Sequence, residues 1–545
     1  MVAKLLFLIN LGLVCCAIDP PKFSSSYIVK GSLYIPFAEI KEPFYAWYDV
    51  SEGKSRIDYY GGMVKTYQLS KNGTHGLSLK IAPMTTDTEL NKISCFNAYG
   101  EPDSKIEPQS VLPNVSEFNY IGEELFNGVN LEKWRLVTSE GEKVNKYTLW
   151  VRYTKVPSSE PDRQAIPVRY EMKGYNSLLG SHYDHYFLDY EVYSPEKPEA
   201  NIFEIEPNMT CSGFPGPGDQ YIVTFNPMRE FINNERLHHD AEFTRFKHEH
   251  KKAYYNEKDH SARKTVFTQN LRFIHSKNRA GLSYKLGVNH LADRSDTELK
   301  ALRGNRPTGG YNGGKTFPYV NINKADYPET LDWTLYGAVT PVKDQSVCGS
   351  CWSFGTTGTL EGAYFMKYKK QAILSQQALI DCSWGYGNNG CDGGEDFRSY
   401  QWILKHGGLP TEDDYGPYLG QDGYCHIQNT TITAPITGFV NVTPNSEDAL
   451  KLALAKHGPI SVAIDASQKS FSFYSNGVYY DENCKNSPNG LDHAVLAVGY
   501  GKLENKPYWM VKNSWSTYWG NQGYVLMSIK DNNCGVMTDP TYVTM

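Results

Sequence analysis

One cysteine-containing string constrains this chain more than any other part of its sequence. Residues 345–354 read Gln-Ser-Val-Cys-Gly-Ser-Cys-Trp-Ser-Phe, and two polar residues stand far downstream of it. His493 lies 142 residues after Cys351, and Asn513 lies 162 residues after it. A cysteine nucleophile needs a base, and the base needs a third group to orient it, so the three positions together predict a thiol-based site in the C-terminal part of the chain.

The string Cys348-Gly-Ser-Cys351-Trp352 resembles the nucleophile segment of the papain family of cysteine proteases, and its motifs are closest to the cathepsin L group. The resemblance covers about the last 220 residues. It implies an α+β, papain-like, two-lobed catalytic domain over residues 327–545. The spacing to Asn513 slightly exceeds the usual range, and residues 502–506 are a candidate loop insertion that explains the excess.

The resemblance also implies a role for each site residue. Cys351 is the expected nucleophile, His493 its base and Asn513 the group that orients the imidazole. Gln345 is expected to donate to the oxyanion, and Trp515 to cover the contact between His493 and Asn513. Cys351 is predicted to begin a helix, whose dipole favours the thiolate. Neither a cofactor nor a metal ion is expected.

Residues 221–300 are predicted to be a helical inhibitory prodomain. Six residues recur at steps of three and four, which places them on one helix face: Asp259, Arg263, Phe267, Asn270, Ile274 and Asn278. This resembles the ERFNIN pattern of papain-family propeptides, with Asp259 in place of the usual Glu. Residues 287–293 resemble the companion motif, with Leu291 in place of Phe. The family's propeptide crosses the cleft in the reverse of substrate direction, which implies a latent zymogen.

Residues 301–326 contain the glycine-rich stretch Arg-Gly-Asn-Arg-Pro-Thr-Gly-Gly-Tyr-Asn-Gly-Gly at 303–314. Such a composition is typical of a flexible, accessible linker, and we expect activating cleavage there.

Residues 18–220 are predicted to form a β-rich domain, either an antiparallel sheet or an open barrel. Residues 147–153, 166–170 and 186–192 are runs of aromatic and β-branched residues, and residues 44–48 and 56–60 suggest a hairpin. Residues 1–17 have a basic start, an apolar run and a small final residue, which is typical of a secretory signal peptide. The fold class is therefore multidomain.

The cysteine count favours an oxidising compartment. Of eleven cysteines, two fall in the leader, and the odd number that remains leaves one thiol free. The family implies three disulfides, and the remainder suggests a fourth: Cys348–Cys391, Cys382–Cys425, Cys484–Cys534 and Cys95–Cys211. Five glycosylation motifs fit the same route: Asn72, Asn114, Asn208, Asn429 and Asn441. The destination stays open between lysosome, granule and extracellular space.

Substrate preference is predicted from positions that match the family's binding cleft. Gly393 and Gly394 are expected to pair with substrate backbone. The walls of the S2 pocket, which holds the P2 side chain of the substrate, are expected from four residues: Asp396, Ala463, Leu491 and Asp539. Two of them are acidic, which suggests tolerance of Lys or Arg at P2. The alternative is that one or both carboxylates face solvent or a local partner.

The expected partners are protein and peptide substrates, and cystatin-like inhibitors are plausible. The net charge of −6 argues against nucleic acid, and no segment after the leader has the length of a membrane span. The long N-terminal part resembles that of insect haemocyte two-chain proteinases, in which it is retained as a non-covalent subunit. Two alternatives remain: a dipeptidyl-peptidase restricted by this domain, and a binding protein with minor proteolytic activity.

Overall fold

The computed structural model describes residues 18–85, 90–154, 164–213, 225–235 and 237–545, so the predicted leader lies outside the described part. Contacts divide the chain into two units. Among the described residues, the first unit comprises those within 18–82 and 94–238, and the second comprises those within 83–93 and 239–545.

The first unit is built on one sheet, as the β-rich pattern predicts. Its strands are β1 (Ser26–Ile35), β2 (Ile40–Asp49), β3 (Lys54–Tyr59), β4 (Val64–Leu69), β5 (Leu77–Met84), β6 (Lys92–Tyr99), β7 (Asn119–Phe126), β8 (Val129–Glu140), β9 (Lys143–Thr154), β10 (Gln164–Asn176), β11 (Ser181–Ser194) and β12 (Cys211–Gly213). They are ordered β12-β6-β5-β4-β3-β2-β1-β11-β10-β9-β8-β7, which is an open sheet rather than a closed barrel among the described strands. The predicted hairpin is β2–β3, in which Phe44 faces Tyr59.

Alternation of side chains explains why these segments are strands. In β11, Tyr186, Leu188 and Tyr190 are buried while Phe187 and Asp189 between them are half-buried, the period of two that a sheet with one buried face requires. A short helix, α1 (Met228–Ile232), packs on this face. The hydroxyl of Tyr186 donates to the backbone O of Phe231 at 3.0 Å. Residues 225–235, predicted as part of the prodomain, therefore group with the first unit.

The second unit contains the predicted prodomain and catalytic domain. Its helices are α2 (Leu237–Glu249), α3 (Glu257–Arg279), α4 (Asp296–Ala301), α5 (Cys351–Tyr368), α6 (Gln376–Cys382), α7 (Asp396–His406), α8 (Glu412–Tyr415), α9 (Glu447–His457) and α10 (Lys469–Ser472). Its strands are β13 (Tyr284–Leu286), β14 (Lys315–Thr316), β15 (Leu331–Asp332), β16 (Gly438–Asn441), β17 (Ile460–Ile464), β18 (Tyr474–Tyr479), β19 (His493–Leu503), β20 (Lys506–Lys512), β21 (Tyr524–Ser528) and β22 (Thr541–Thr544). The main sheet runs β13-β18-β21-β20-β19-β17-β22-β16-β14. A prodomain strand and a linker strand thus lie at its two ends.

Helix α5 packs closely against this sheet because one of its faces has no side chains. A Cβ on Gly355, Gly358 or Gly362 would approach Ser461, Leu496 or Pro459 within 3 Å, so larger residues there would force the helix away from the sheet.

The residues of the ERFNIN-like pattern hold the prodomain together from one face of α3. Arg263 forms an ion pair with Glu298 of α4 at 2.6 Å. The amide of Asn270 donates to Ala292 O at 2.9 Å, and that of Asn278 donates to Leu286 O at 2.8 Å. Asn289 of the companion motif donates to Ser472 O at 2.9 Å, which fixes the prodomain to the catalytic domain.

Among the described residues, no helix combines the length and the apolar composition that crossing a membrane requires.

Candidate active site

The thiol of Cys351 lies at the start of α5, where the helix dipole presents its positive end. The residue is fully buried, and the backbone N–H of Ala494 donates to its sulfur at 3.4 Å. Ala494 follows His493 at the start of β19, so the fold brings these two distant segments together.

The imidazole of His493 is held by Asn513 and covered by Trp515, as expected. His493 Nε2 and Asn513 Oδ1 are 2.8 Å apart, and the ring of Trp515 lies 4.8 Å from the imidazole between centroids. His493 Nδ1 is buried and, among the described atoms, has no hydrogen-bond partner. Asn513 thus binds one ring nitrogen of His493 and leaves the other without a partner among the described atoms.

The predicted linker passes directly over this thiol. The backbone N–H of Gly304 donates to the sulfur of Cys351 at 3.2 Å. Gly394 N–H donates to Gly304 O at 2.9 Å, and Arg306 N–H donates to Gly394 O at 3.1 Å. Residues 304–306 are therefore seated in the cleft, and the expectation of a freely accessible linker is wrong for them.

The direction of this segment agrees with the expected reversal. Asn305 pairs with Gly394 in parallel, and its side chain donates to Leu491 O at 2.7 Å. Arg303 forms an ion pair with Asp492 at 2.7 Å, which anchors the chain beside the thiol. The residues predicted to bind substrate backbone are thus occupied by the linker.

Gln345 already makes the kind of contact expected of an oxyanion donor. Its Nε2 donates to the backbone O of Leu302 at 2.8 Å and to Cys348 O at 2.7 Å. The side chain is fully buried, and the hydroxyl of Ser514 donates to its Oε1 at 2.6 Å. Ser514 and Cys348 thus fix the amide, whose remaining bond reaches the linker side at Leu302 O.

Burial sets the protonation of the pair in this latent form. It raises the pKa of the Cys351 thiol to about 11, although the N–H groups of Ala494 and Gly304 act in the opposite direction. Burial also lowers the pKa of His493 to about 4, against the effect of Asn513. Both groups are therefore neutral at pH 7. Burial thus disfavours the charged thiolate and imidazolium forms, while the backbone N–H groups at the sulfur favour the thiolate.

The two acidic residues expected in the S2 pocket have different surroundings. Asp396 accepts from Thr541 Oγ1 at 2.6 Å and from Tyr400 OH at 3.3 Å, so its carboxylate has local partners. Asp539 is exposed and forms no hydrogen bond or ion pair among the described residues. Ala463 and Leu491, the two apolar wall residues, are buried.

Sequence reasoning missed Glu395, which follows the two cleft glycines. Its Oε1 accepts from the backbone N–H of Thr308 at 3.0 Å, and its Oε2 accepts from the Thr308 hydroxyl at 2.7 Å. Arg398 donates to the same carboxylate at 2.9 Å. The run Glu395–Asp396 directly after Gly394 was the available signal.

The structure contains the four disulfides that the sequence suggests. They join Cys95 to Cys211, Cys348 to Cys391, Cys382 to Cys425 and Cys484 to Cys534. Among the described residues, Cys351 is the free cysteine.

Four of the glycosylation motifs present exposed asparagines: Asn72, Asn114, Asn208 and Asn429. Asn441 differs, because its side chain is half-buried and exchanges two hydrogen bonds with Asn312 of the linker, at 2.8 and 3.0 Å. A glycan on its amide nitrogen would break this pair.

We therefore expect Asn441 to be unmodified in the intact zymogen, while Asn429 carries glycan. Enzymatic deglycosylation in heavy-oxygen water followed by peptide mass spectrometry measures occupancy at both positions, with Asn429 as the exposed control. High occupancy at Asn441 in latent, full-length protein would contradict this docking of the linker.

Comparison with known proteins agrees with both parts of the second unit. Residues 327–544 match the papain family of cysteine proteases, and residues 243–299 match the cathepsin propeptide inhibitor domain. A cathepsin L-like peptidase of Aedes aegypti is 44% identical over 323 residues, which cover 55% of this chain and 92% of that protein. Cathepsin L of Sarcophaga peregrina is 43% identical over 319 residues, with 56% of this chain and 92% of that protein covered.

A solved structure gives the same result. Digestive procathepsin L 3 from the larval midgut of Tenebrio molitor has 33% sequence identity and a TM-score of 0.53, and the match covers 57% of this chain and 100% of that one. Fold and site together define a thiol protease in its proform. The chain belongs to the papain family of cysteine proteases, and its relatives are cathepsin L-like.

Proposed function

We propose that this chain is the zymogen of a cysteine endopeptidase in which Cys351, His493, Asn513 and Gln345 carry out peptide-bond hydrolysis. The observation that carries the proposal is the linker backbone over the thiol, with Gly304 N at 3.2 Å from the sulfur and Leu302 O at 2.8 Å from Gln345 Nε2. A peptide in this cleft is held by the same groups that the reaction needs.

The reaction begins once the prodomain has left. The sulfur of Cys351 attacks the scissile carbonyl carbon, while its proton resides on His493, whose orientation Asn513 fixes. The carbonyl oxygen becomes an oxyanion, which accepts from Gln345 Nε2 and from the backbone N–H of Cys351. Collapse of this tetrahedral intermediate breaks the C–N bond, and His493 gives its proton to the leaving amine.

The remaining thioester is cleaved by water. His493 removes a proton from the water, whose oxygen attacks the thioester carbon, and the acid product leaves as the proton returns to sulfur. Trp515, which is 1% exposed, keeps bulk solvent away from the bond between His493 and Asn513.

Substrate is proposed to add a strand beside Gly393 and Gly394. The linker already uses both the N–H and the O of Gly394. The absence of a side chain at Gly393, where a Cβ would lie 2.6 Å from Gly304 O, leaves room for a peptide backbone. The P2 side chain then faces Ala463, Leu491 and Asp539. Because Asp396 is satisfied by Thr541 and Tyr400, tolerance of a basic P2 residue rests on Asp539.

This preference is expected to depend on pH. Although Asp539 is exposed on one side, desolvation by the protein around its carboxylate and, to a smaller extent, the nearby carboxylates of Asp396 and Glu395 raise its pKa to about 6. Asp539 is ionised above that value and attracts Lys or Arg, and it is neutral below it. We expect the ratio of kcat/KM for Arg over Leu at P2 to rise roughly two- to fivefold between pH 5 and pH 7.

Paired peptides that differ only at P2 measure this ratio, in which the pH dependence of the catalytic groups cancels. Asp539→Asn removes the charge at nearly constant size, so its ratio should stay flat. If the profile of the Asp539→Asn variant coincides with that of the wild type, Asp539 does not set the P2 preference.

The first unit is proposed to remain with the processed enzyme as a non-covalent subunit, rather than to restrict the cleft or to bind a ligand as the main activity. The ERFNIN-like prodomain before the catalytic domain supports this, because it makes residues 18–220 an addition to an otherwise complete proform. The four disulfides support passage through the secretory pathway, towards a lysosome, granule or extracellular space. Cystatin-like inhibitors are proposed to occupy the same cleft.

The experiment is cleavage of a peptide with a blocked N-terminus, beside its unblocked twin, by acid-processed full-length protein. Equal turnover of both identifies an endopeptidase. Turnover of the unblocked peptide alone identifies a dipeptidyl-peptidase. Turnover of neither contradicts the proposed activity and favours a binding role.

A further inference from the structure

A short segment far upstream of the prodomain lies among the residues of the second unit. Residues 83–93 belong to that unit by their contacts, and Leu90 is 9% exposed. The backbone N–H of Leu90 donates to Glu504 Oε1 at 2.6 Å. The side-chain amide of Asn91 donates through Nδ2 to Leu282 O at 2.5 Å. Glu504 belongs to the catalytic domain and Leu282 to the prodomain, so two adjacent residues bind to both.

Leu282 stands beside the strand that seats the prodomain. The next residue, Ser283, accepts from Val478 N–H at 2.9 Å and donates its hydroxyl to Val478 O at 2.7 Å. Strand β13 follows, with Tyr284 opposite Gly477 of β18. Leu90 packs at this junction, because a Cβ on Gly477 would lie 3.4 Å from Leu90 Cδ1 and 2.6 Å from Ser283 O.

Glu504 occupies the two-residue turn between β19 and β20. Both turn residues have positive φ, 45° for Glu504 and 62° for Asn505, which is the backbone of a tight hairpin turn. The turn belongs to residues 502–506, the candidate insertion that accounts for the extra spacing to Asn513. It projects a carboxylate that accepts a backbone N–H, a strong type of hydrogen bond because the acceptor is charged.

We infer that Leu90 and Asn91 form a clamp that holds β13 against β18 and so contributes to latency. The clamp connects Glu504 on the catalytic side to Leu282 on the prodomain side, and the prodomain strand cannot leave without breaking the bond from Asn91 and exposing Leu90. The clamp acts by binding alone and does not depend on the proposed catalytic roles.

Hydrogen exchange on the full-length Cys351→Ala protein, which cannot process itself, tests the clamp without any activity. The reporters are the backbone amides of Val478 and Gly287. They donate to Ser283 O and Phe473 O, respectively, between the prodomain and the catalytic domain. We expect Glu504→Ala to accelerate their exchange roughly two- to tenfold, the effect of one lost hydrogen bond. Asn91→Asp, which keeps the size but replaces the donor, should do the same.

Two variants serve as controls. Glu504→Gln keeps an acceptor for Leu90 N–H and should exchange more slowly than Glu504→Ala. Glu329→Ala removes an exposed glutamate that pairs with Lys502 beside the same turn, and should change nothing. The two bonds hold the same strand, β13, so their effects are not independent. Exchange in the double variant, Asn91→Asp with Glu504→Ala, should therefore be faster than in either single variant but slower than the two accelerations multiplied together.

Unchanged exchange in Glu504→Ala would overturn the clamp, as would equal acceleration by Glu329→Ala. If Asn91→Asp lowers the thermal stability of the whole protein, the clamp is judged from Glu504→Ala against Glu504→Gln alone. Glu504 lies on an exposed turn, so neither change disturbs the core.

Discussion

Replacing Cys351 with alanine is expected to reduce turnover at least about 10⁴-fold in protein whose prodomain has been removed by a separate protease, because the nucleophile and the base of such a site act as a unit. His493→Ala should lose a similar factor. The double variant should be no worse than either single variant, since neither residue accelerates the reaction without the other. The measurement is kcat/KM on a blocked peptide.

The matched control for this result is Cys351→Ser, which keeps the shape of the buried side chain. The two Cys351 variants should unfold thermally close to the wild type, because they remove no disulfide. Residual turnover within about tenfold of wild type in Cys351→Ala would assign the chemistry to another group.

Replacing Gly304 with alanine is expected to abolish much of the latency. A Cβ at this position would overlap the backbone oxygen of Gly349, and backbone cannot move aside as a flexible side chain can. Inserting a group into a packed contact typically costs about 1–3 kcal/mol. The prodomain would then be held roughly ten- to hundredfold less tightly over the thiol. Activity of intact protein at neutral pH should rise accordingly.

Active-site titration of unprocessed Gly304→Ala protein measures this rise. Gly385→Ala is the control, because no atom lies within 4 Å of a Cβ built there. It should remain as latent as wild type. A Gly304→Ala zymogen that is equally latent would show that residues 302–306 do not hold the prodomain in the cleft.

The sequence predicted the parts of this structure that depend on local pattern. Cys351 begins a helix, the ERFNIN-like residues share one face of α3, and the alternating runs of the first unit are strands. Each of these follows from the spacing of residues along one element. The open order of the twelve strands does not, because it depends on pairing between distant segments.

The glycines of the linker show why the remainder was not predictable. Glycine-rich composition is typical of flexible chain, and residues 309–313 are mostly exposed. Gly304, by contrast, is held in place: its lack of a side chain lets the backbone pack closely against Gly349. Likewise, nothing near Asp396 in sequence reveals that Thr541, 145 residues later, satisfies its carboxylate. Only tertiary contacts distinguish such cases.

The central claim is that Cys351 is the reactive thiol and that the prodomain covers it. Alkylation with iodoacetamide at pH 7, followed by peptide mass spectrometry before and after acid processing, tests this claim most directly. The account predicts that Cys351 is unmodified in the intact chain and that, after processing, its labelling removes activity in a one-to-one ratio. Rapid labelling of Cys351 in the intact chain, or full activity after complete labelling, would contradict it.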